Sequence, residues 1–416
     1  MKILKLTPQA EKWLLARRAR PDTEAQAIAA QIVADVRKRG DAALFAYTKK
    51  FDYTDLTKTG VWVTQKGIRA AQRETSAKFR KAVEKAAANV RRVAEKQLPR
   101  RWTVETTPGV KIHQVVRPIE AIGCYVPGGR FSLVSTLVMT VVPAKVAGVP
   151  NIVAVCPKPN PELLATAGIL GVERIARIGG AQAIAALAYG SKSVPRVDKI
   201  FGPGNKYVTA AKQIVSSECA IDLPAGPTEA IVFAEHGNAR WIAADLLAQA
   251  EHARDAASFF VTTSDALARE VQREIQKQLA QLPNGAAHSS TRLSGAILIA
   301  ESAEQACEFI NRFAPEHLSL PENGAKSLSR VRATGTVFLG PWGAQPLGDY
   351  ATGSNHVLPT GGWARRRGGL STADFVKCIS VQTITDRGFL HLAEAVETLA
   401  EAEGLMAHRN AVRIRR

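Results

Sequence analysis

Long apolar runs are missing from this chain of 416 residues. No stretch reaches the roughly 18 consecutive apolar residues that a membrane-spanning helix needs. The opening MKILKLTPQAEKWLLARRAR is basic, but it lacks the uninterrupted apolar segment of a secretory leader. A cytoplasmic protein without a membrane partner is therefore expected. Cysteine is sparse: Cys124, Cys156, Cys219, Cys307 and Cys378 are far apart, odd in number and never form C-x-x-C. That argues against a disulfide frame or a thiolate zinc site, and leaves buried or incidental thiols. Aromatic residues are only 6% of the chain, while the formal net charge is +18. The basic residues fall in the stretches 17–20, 78–101, 365–367 and 409–416, without the aromatic interleaving of a single-strand binder. No nucleic-acid partner is expected. A G-x-G-x-x-G dinucleotide fingerprint is absent as well, and so are fixed-period repeats and low-complexity tracts.

What is present is alternation. Residues 23–40 predict a helix: Thr23 and Gln26 have capping-box spacing, Ile28, Ile32 and Val36 form one apolar stripe, and Gly40 ends it. A highly charged helix is predicted over 76–96, and 98–110 reads as a connector. Short apolar runs then alternate with helical segments: AIGCYV (121–126), NIVAVC (151–156), RIARIGG (174–180), VDKIFG (197–202) and EAIVFA (229–234). A second series follows: ASFFVTT (257–263), GAILIA (295–300) and GTVFLG (335–340). This is the pattern of parallel α/β sheets, in two units. From residue 374 a strand-like piece, a helix near 390–404 and a basic tail complete the chain.

Glycine clusters in turns after three predicted strands, in YVPGGR (125–130), IGGAQ (178–182) and FGPGNKY (201–207). Open parallel sheets bind ligands at the carboxyl ends of their strands, and glycine there lets backbone amides approach an anion. A nucleotide or phosphate site competes with ordinary turns at these positions. In LLAQAEHARD, Gln249 and His252 share one helix face and make half of a metal site, or else two surface polar groups. The loop GDYATGSNHVLPT offers Asp349 and His356, and EGLMAHRNAV offers Glu403 and His408. In APEHLSL, Glu316 stands beside His317, which taken alone reads as a helix-to-strand turn with surface polarity. Any zinc site here would be assembled from distant segments with N and O ligands only, as open catalytic sites often are.

In this order YVPGG, FGPGN, DLPAGPTE, AQAEH, APEHL and GDYATGSNHVLPTGG, followed by EGLMAHRNAV, resemble the histidinol dehydrogenase family. The resemblance runs from about residue 20 to the tail. It implies an aldehyde-dehydrogenase-like α/β fold with two incomplete Rossmann-like parallel-sheet units and added terminal segments. The implied division is an N-terminal arm (1–20), a first α/β domain with the catalytic and metal residues (21–118 plus 232–372), a second, NAD-binding α/β domain (119–231) and a C-terminal dimerisation segment (373–416) that enters the partner's site. The implied reaction is the last step of histidine biosynthesis, a four-electron oxidation of L-histidinol to L-histidine through histidinaldehyde with two NAD. The family is a homodimer with shared active sites and one zinc ion per subunit.

Carried over by motif, the zinc ligands are Gln249, His252, Asp349 and His408, the last from the partner subunit. His317 resembles the general base, and Glu316 resembles the carboxylate that activates water. Substrate contacts fall on Thr228, His356 and Glu403, besides the zinc ligands and His317. Cofactor contacts fall on Tyr125, Gln182 and Asn205. Two features depart from the family pattern: Thr228 stands where serine is more usual, and WARRRGG (363–369) is unusually basic. The basic stretch suggests a second reading, a relative on the same scaffold that oxidises another small alcohol such as a sulfonated diol. A third reading, a non-catalytic nucleic-acid binder exploiting the net charge, would show salt-sensitive binding to any DNA or RNA.

Overall fold

Two all-parallel sheets and one small antiparallel sheet organise the chain. The computed structural model describes residues 1–16, 22–128, 133–224, 226–321 and 324–416. The basic run 17–20, positions 129 and 130 of YVPGGR and position 225 of DLPAGPTE lie outside the described residues.

The larger sheet has six strands in the order Lys2–Lys5, Ala296–Ile299, Ala257–Thr262, Glu229–Phe233, His317–Leu320 and Thr336–Leu339. All neighbouring pairs are parallel. Its central strands are apolar on both faces, as they must be when helices cover both. Phe259, Phe309, Phe313 and Leu318 pack on one side, and Leu246, Phe260, Val271 and Ile297 on the other. The second sheet has five parallel strands in the order Arg174–Ala176, Asn151–Val155, Ala121–Tyr125, Lys199–Phe201 and Ala220–Ile221. Two parallel-sheet units, expected from the alternation of apolar runs, are thus found.

The helix Thr23–Arg39 forms as its stripe requires, but its cap is one residue earlier than expected. Asp22 accepts the Ala25 N–H at 2.9 Å, so Thr23 is the first helical residue rather than the cap. Ala29, Ile32, Val33 and Val36 press against the helices Gly180–Tyr189 and Lys206–Val215 of the five-stranded unit. The helix Ala77–Gln97 likewise packs on Val134–Ala147. This packing differs from the expected division, which grouped 21–118 with 232–372. The expected boundary at 231 also falls inside the strand Glu229–Phe233, and Lys2–Lys5 is an edge strand of the larger sheet.

Residues expected to be a plain connector form a hairpin instead. Trp102–Thr107 pairs with Val110–Pro118, which pairs with Val376–Ile384, all antiparallel. Most of Trp102–Thr107 is exposed, so its strand lacks the buried face of the parallel strands. The C-terminal helix runs over Asp386–Ala402 and is followed by Met406–Arg413.

Candidate active site

The pair Glu316–His317 sits at the amino end of a central strand of the larger sheet. The helix Ala303–Phe313 is closed by Ala314 in a left-handed conformation, φ 47°, with its N–H bonded to the Ile310 carbonyl at 2.6 Å. Proline follows and cannot continue the helix. The chain therefore turns into the strand His317–Leu320 with both polar side chains already inside. The turn was legible, but its surface polarity was not: Glu316 is 7% exposed and His317 4%.

Burial at this depth demands partners. Thr228, just before the neighbouring strand, donates its hydroxyl to Glu316 Oε2, and the Glu229 N–H reaches the same oxygen at 3.1 Å. The Thr228 hydroxyl in turn accepts from Gln249 Nε2 at 2.7 Å. Gln345 Nε2 donates to Gln249 Oε1 at 2.5 Å, which completes a relay from Gln345 to Glu316. Gln345 escaped the sequence reading. It begins the short helix Gln345–Tyr350 that carries Asp349, and its one sequence signal was its place four residues before that aspartate.

Asp349 Oδ1 lies 3.5 Å from His317 Nε2, and Asp349 Oδ2 lies 3.9 Å from His252 Nε2. Glu316 Oε2 is 3.7 Å from His317 Nδ1. Both ring nitrogens of His317 are buried without a hydrogen-bond partner. Burial pulls the imidazole down, but the Glu316 and Asp349 carboxylates on either side outweigh it and raise its pKa above the usual histidine value. Burial pushes the Glu316 carboxyl up, despite the opposing pull of His317 and Thr228. Burial opposes ionisation of Asp349 too, but the neighbouring His252 and His317 imidazoles hold it well below the carboxylate range. His356 is part-buried, with Nδ1 2.8 Å from the Asp349 carbonyl, and burial lowers its pKa. The loop behind it is fixed from the other unit. Asn355 Nδ2 donates to the Met139 carbonyl at 2.7 Å, and Asn89 Nδ2 to the Ala351 carbonyl at 2.7 Å.

Gln249, His252 and Asp349 offer N and O donors of the kind zinc takes. Gln249 ends the helix Ala239–Ala250 and His252 follows within the same turn, its N–H bonded to the Gln249 carbonyl at 3.3 Å. Two ligands at about 2.1 Å from one tetrahedral ion stand about 3.4 Å apart, close to the His252–Asp349 separation. Among the described residues, no group of three or more His, Cys, Asp or Glu side chains converges for a metal. The third donor of this chain would be an amide, Gln249. Glu403 and His408 are exposed on the C-terminal segment, and no described hydrogen bond joins them to the buried group.

The glycine turns lie at the carboxyl ends of the five-stranded sheet. Tyr125 ends its strand, and its hydroxyl accepts the Gly180 N–H at 3.1 Å. Gly202, φ 110°, sits so close to the Tyr125 carbonyl that a Cβ would fall 2.1 Å from its oxygen. The turn is pinned by Asp222, which accepts the Gly202 N–H at 2.7 Å and pairs with the buried Lys212. Asn205 caps the helix Lys206–Val215 through its Oδ1. Gln182 is 1% exposed on the first turn of Gly180–Tyr189. These turns thus lie where the rule of ligands at carboxyl ends would put one, while Thr228, Glu316 and His317 gather at the amino ends of the other sheet.

The basic stretch 365–367 is engaged by the protein itself. Arg365 donates to the Arg312 carbonyl at 2.5 Å, and Arg366 lies over the Trp363 ring at 4.9 Å. Arg367 clasps both oxygens of Asp374, at 2.9 and 3.0 Å. The feature that favoured an anionic diol is therefore structural, and that reading is not supported. No helix among the described residues is long and apolar enough to cross a membrane. Cys124, Cys156, Cys219 and Cys307 are buried free thiols, and Cys378 is exposed.

Comparison with known proteins agrees with the resemblance. The family model for histidinol dehydrogenase matches residues 15–416. The histidinol dehydrogenase of Methanosarcina barkeri is 43% identical over 393 residues, covering 92% of this chain and 90% of the relative. That of Vibrio vulnificus is 45% identical over 395 residues, covering 94% and 91%. The crystal structure of histidinol dehydrogenase from Elizabethkingia anophelis superposes with a TM-score of 0.95 at 38% identity, covering 100% of this chain and 98% of that one. With a family match across almost its whole length and relatives this similar, the chain belongs to the histidinol dehydrogenase family.

Proposed function

We propose that this chain oxidises L-histidinol to L-histidine in two successive NAD-dependent steps at one zinc-containing site. The reaction passes through histidinaldehyde and completes histidine biosynthesis. The observation that carries the reading is the buried pairing of an acid and a base, Glu316 and His317, beside Asp349 and Thr228. Each oxidation removes a hydride from the same carbon and a proton from a hydroxyl on it, and one water adds to the aldehyde between them. His317, with both ring nitrogens unpaired, takes the hydroxyl proton in each step. Glu316, oriented by Thr228 and the Glu229 N–H, takes a proton from the attacking water. Their adjacency lets both reach one carbon. Tyr125, Gln182 and Asn205 would hold NAD, which would supply the hydride acceptor for each step.

Gln249, His252 and Asp349 of this chain would hold the zinc, with His408 of the partner subunit as the fourth ligand. The ion would supply a fixed anchor for imidazole and amine nitrogens, a template role. Thr228, His356 and Glu403 would complete the substrate contacts, Glu403 from a second copy. This makes the protein a homodimer, with 373–416 as the exchanged segment. The exposed apolar residues Ile379, Val381, Leu390, Leu399 and Ile414 along that segment support the reading. As an enzyme drawing on a soluble dinucleotide pool, it is placed in the cytoplasm. The test is NADH formation by purified, zinc-loaded protein given L-histidinol, beside a chelated sample. Activity lost on chelation and restored by zinc is expected. Silence from folded, zinc-loaded protein would overturn the reading.

A further inference from the structure

Beside the cofactor turns stands one part-buried group that the chemistry above does not use. Asp52 follows the helix Asp41–Phe51, far in sequence from every motif named so far. Its Oδ2 accepts from Gln182 Nε2 at 3.1 Å, and its carboxylate also takes a bond from the Gly179 backbone. The Tyr125 hydroxyl lies close enough to feel its charge. The next residue, Tyr53, adopts φ 54°, a left-handed conformation rare outside glycine, so the chain accepts strain directly after this carboxylate.

Gln182 has two ends. Its nitrogen is held by Asp52, while its Oε1 is buried and has no hydrogen-bond partner. Gly180, φ 63°, leaves room for that oxygen, because a Cβ there would fall 2.5 Å from it. A buried acceptor kept unpaired in the resting protein is suited to a donor that arrives with a ligand. Without Asp52 the amide could rotate and present its nitrogen instead, two donors facing a donor.

We propose that Asp52 is a positioning residue for the cofactor, fixing the Gln182 amide so that Oε1 accepts an N–H or O–H of the bound dinucleotide. This rests on the reading that NAD docks at the glycine turns. Three parts of NAD carry suitable donors, the nicotinamide carboxamide, the ribose hydroxyls and the adenine amino group.

The experiment measures NAD affinity by fluorescence, together with steady-state kinetics, for zinc-loaded Asp52→Ala, Asp52→Asn, Gln182→Ala and the Asp52→Ala/Gln182→Ala double variant. Asp52→Ala is expected to raise Kd and KM for NAD about tenfold, with kcat and KM for histidinol within about twofold. The double variant should bind NAD no worse than Gln182→Ala alone, because both act through one amide. Asp52→Asn preserves shape and one acceptor oxygen. It should lose less, and it serves if the alanine variant fails to fold. The acetylpyridine analogue of NAD lacks the carboxamide N–H. A loss confined to NAD assigns that group as the donor, and an equal loss for both assigns a ribose hydroxyl or the adenine amino group. If Gln182→Ala weakens NAD while both Asp52 variants bind normally, or if the effects simply add, Asp52 does not position the amide. If Gln182→Ala itself leaves NAD binding intact while histidinol is still turned over, the placement of the dinucleotide is wrong and the proposal falls with it.

Discussion

Thr228 shows how much a single hydroxyl carries here. It donates to Glu316 and accepts from Gln249, so it joins the proposed water-activating carboxylate to a metal-ligand candidate. Thr228→Val keeps the shape but leaves Glu316 and Gln249 without that partner. Turnover should fall by about 10²-fold, the lower range for a lost acid–base arrangement, while Thr228→Ser stays within a few-fold. Equal activity in the valine variant, measured as kcat on histidinol, would remove Thr228 from the relay. His317→Asn should nearly abolish turnover and leave bound metal unchanged, as read by metal analysis of the purified variant. Near-normal turnover would dismiss His317 as the base. At this scale the motifs pointed to the candidate residues, because Glu316, His317, Gln249 and Asp349 sit in short distinctive strings. Burial and partners were not legible. Nothing local in APEHLSL says that a hydroxyl 88 positions away will satisfy its glutamate.

Two elements store measurable electrostatic effects. The helix Ala239–Ala250 carries Asp245 at a small cavity shared with Asn238, Trp241 and Ser319. Burial pushes its carboxyl up to about 6 from an ordinary 3.8. An acid whose folded pKa exceeds its unfolded one binds more protons when folded between those values. Stability contributed by Asp245 is therefore fully present below about pH 4 and lost as pH rises through about 6. Asp245→Asn should accordingly raise stability at pH 7 by up to about 3 kcal/mol and change little at pH 4. Urea unfolding at the two pH values checks this, and equal effects at both would contradict it. The turn after Lys199–Phe201 depends on the buried pair Lys212–Asp222. Lys212→Met leaves Asp222 uncompensated and should cost about 3–5 kcal/mol in the same assay. A cost below about 1 kcal/mol would show that the turn does not need the pair. The parallel strands were legible because strands covered on both faces are continuous apolar runs. The hairpin from Trp102 to Pro118 was not, because most of its first strand faces solvent.

In the proposed site the amino ends of one sheet and the carboxyl ends of another would serve one reaction, and the loop after Tyr350 is bonded to the helices Ala77–Gln97 and Val134–Ala147. Sequence patterning reached the two units but not how the early helices distribute between them. The helix stripe at Ile32 and Val36 fits either sheet equally well, and only packing selects the helices Gly180–Tyr189 and Lys206–Val215. Glu403 and His408 are exposed in the single chain, which suits a site completed between two copies. His408→Asn and Gln249→Ala should each be inactive alone, yet mixed refolded dimers should regain up to about a quarter of native activity, since random mixing repairs one site in half of the dimers. No rescue in verified hybrids would argue against a shared site. The most direct measurement is the ratio of NADH formed to histidine formed by the zinc-loaded protein on L-histidinol. Two NADH per histidine, with no free aldehyde, is the expected result. One NADH with release of histidinaldehyde would contradict a site in which Glu316 and His317 serve both oxidations.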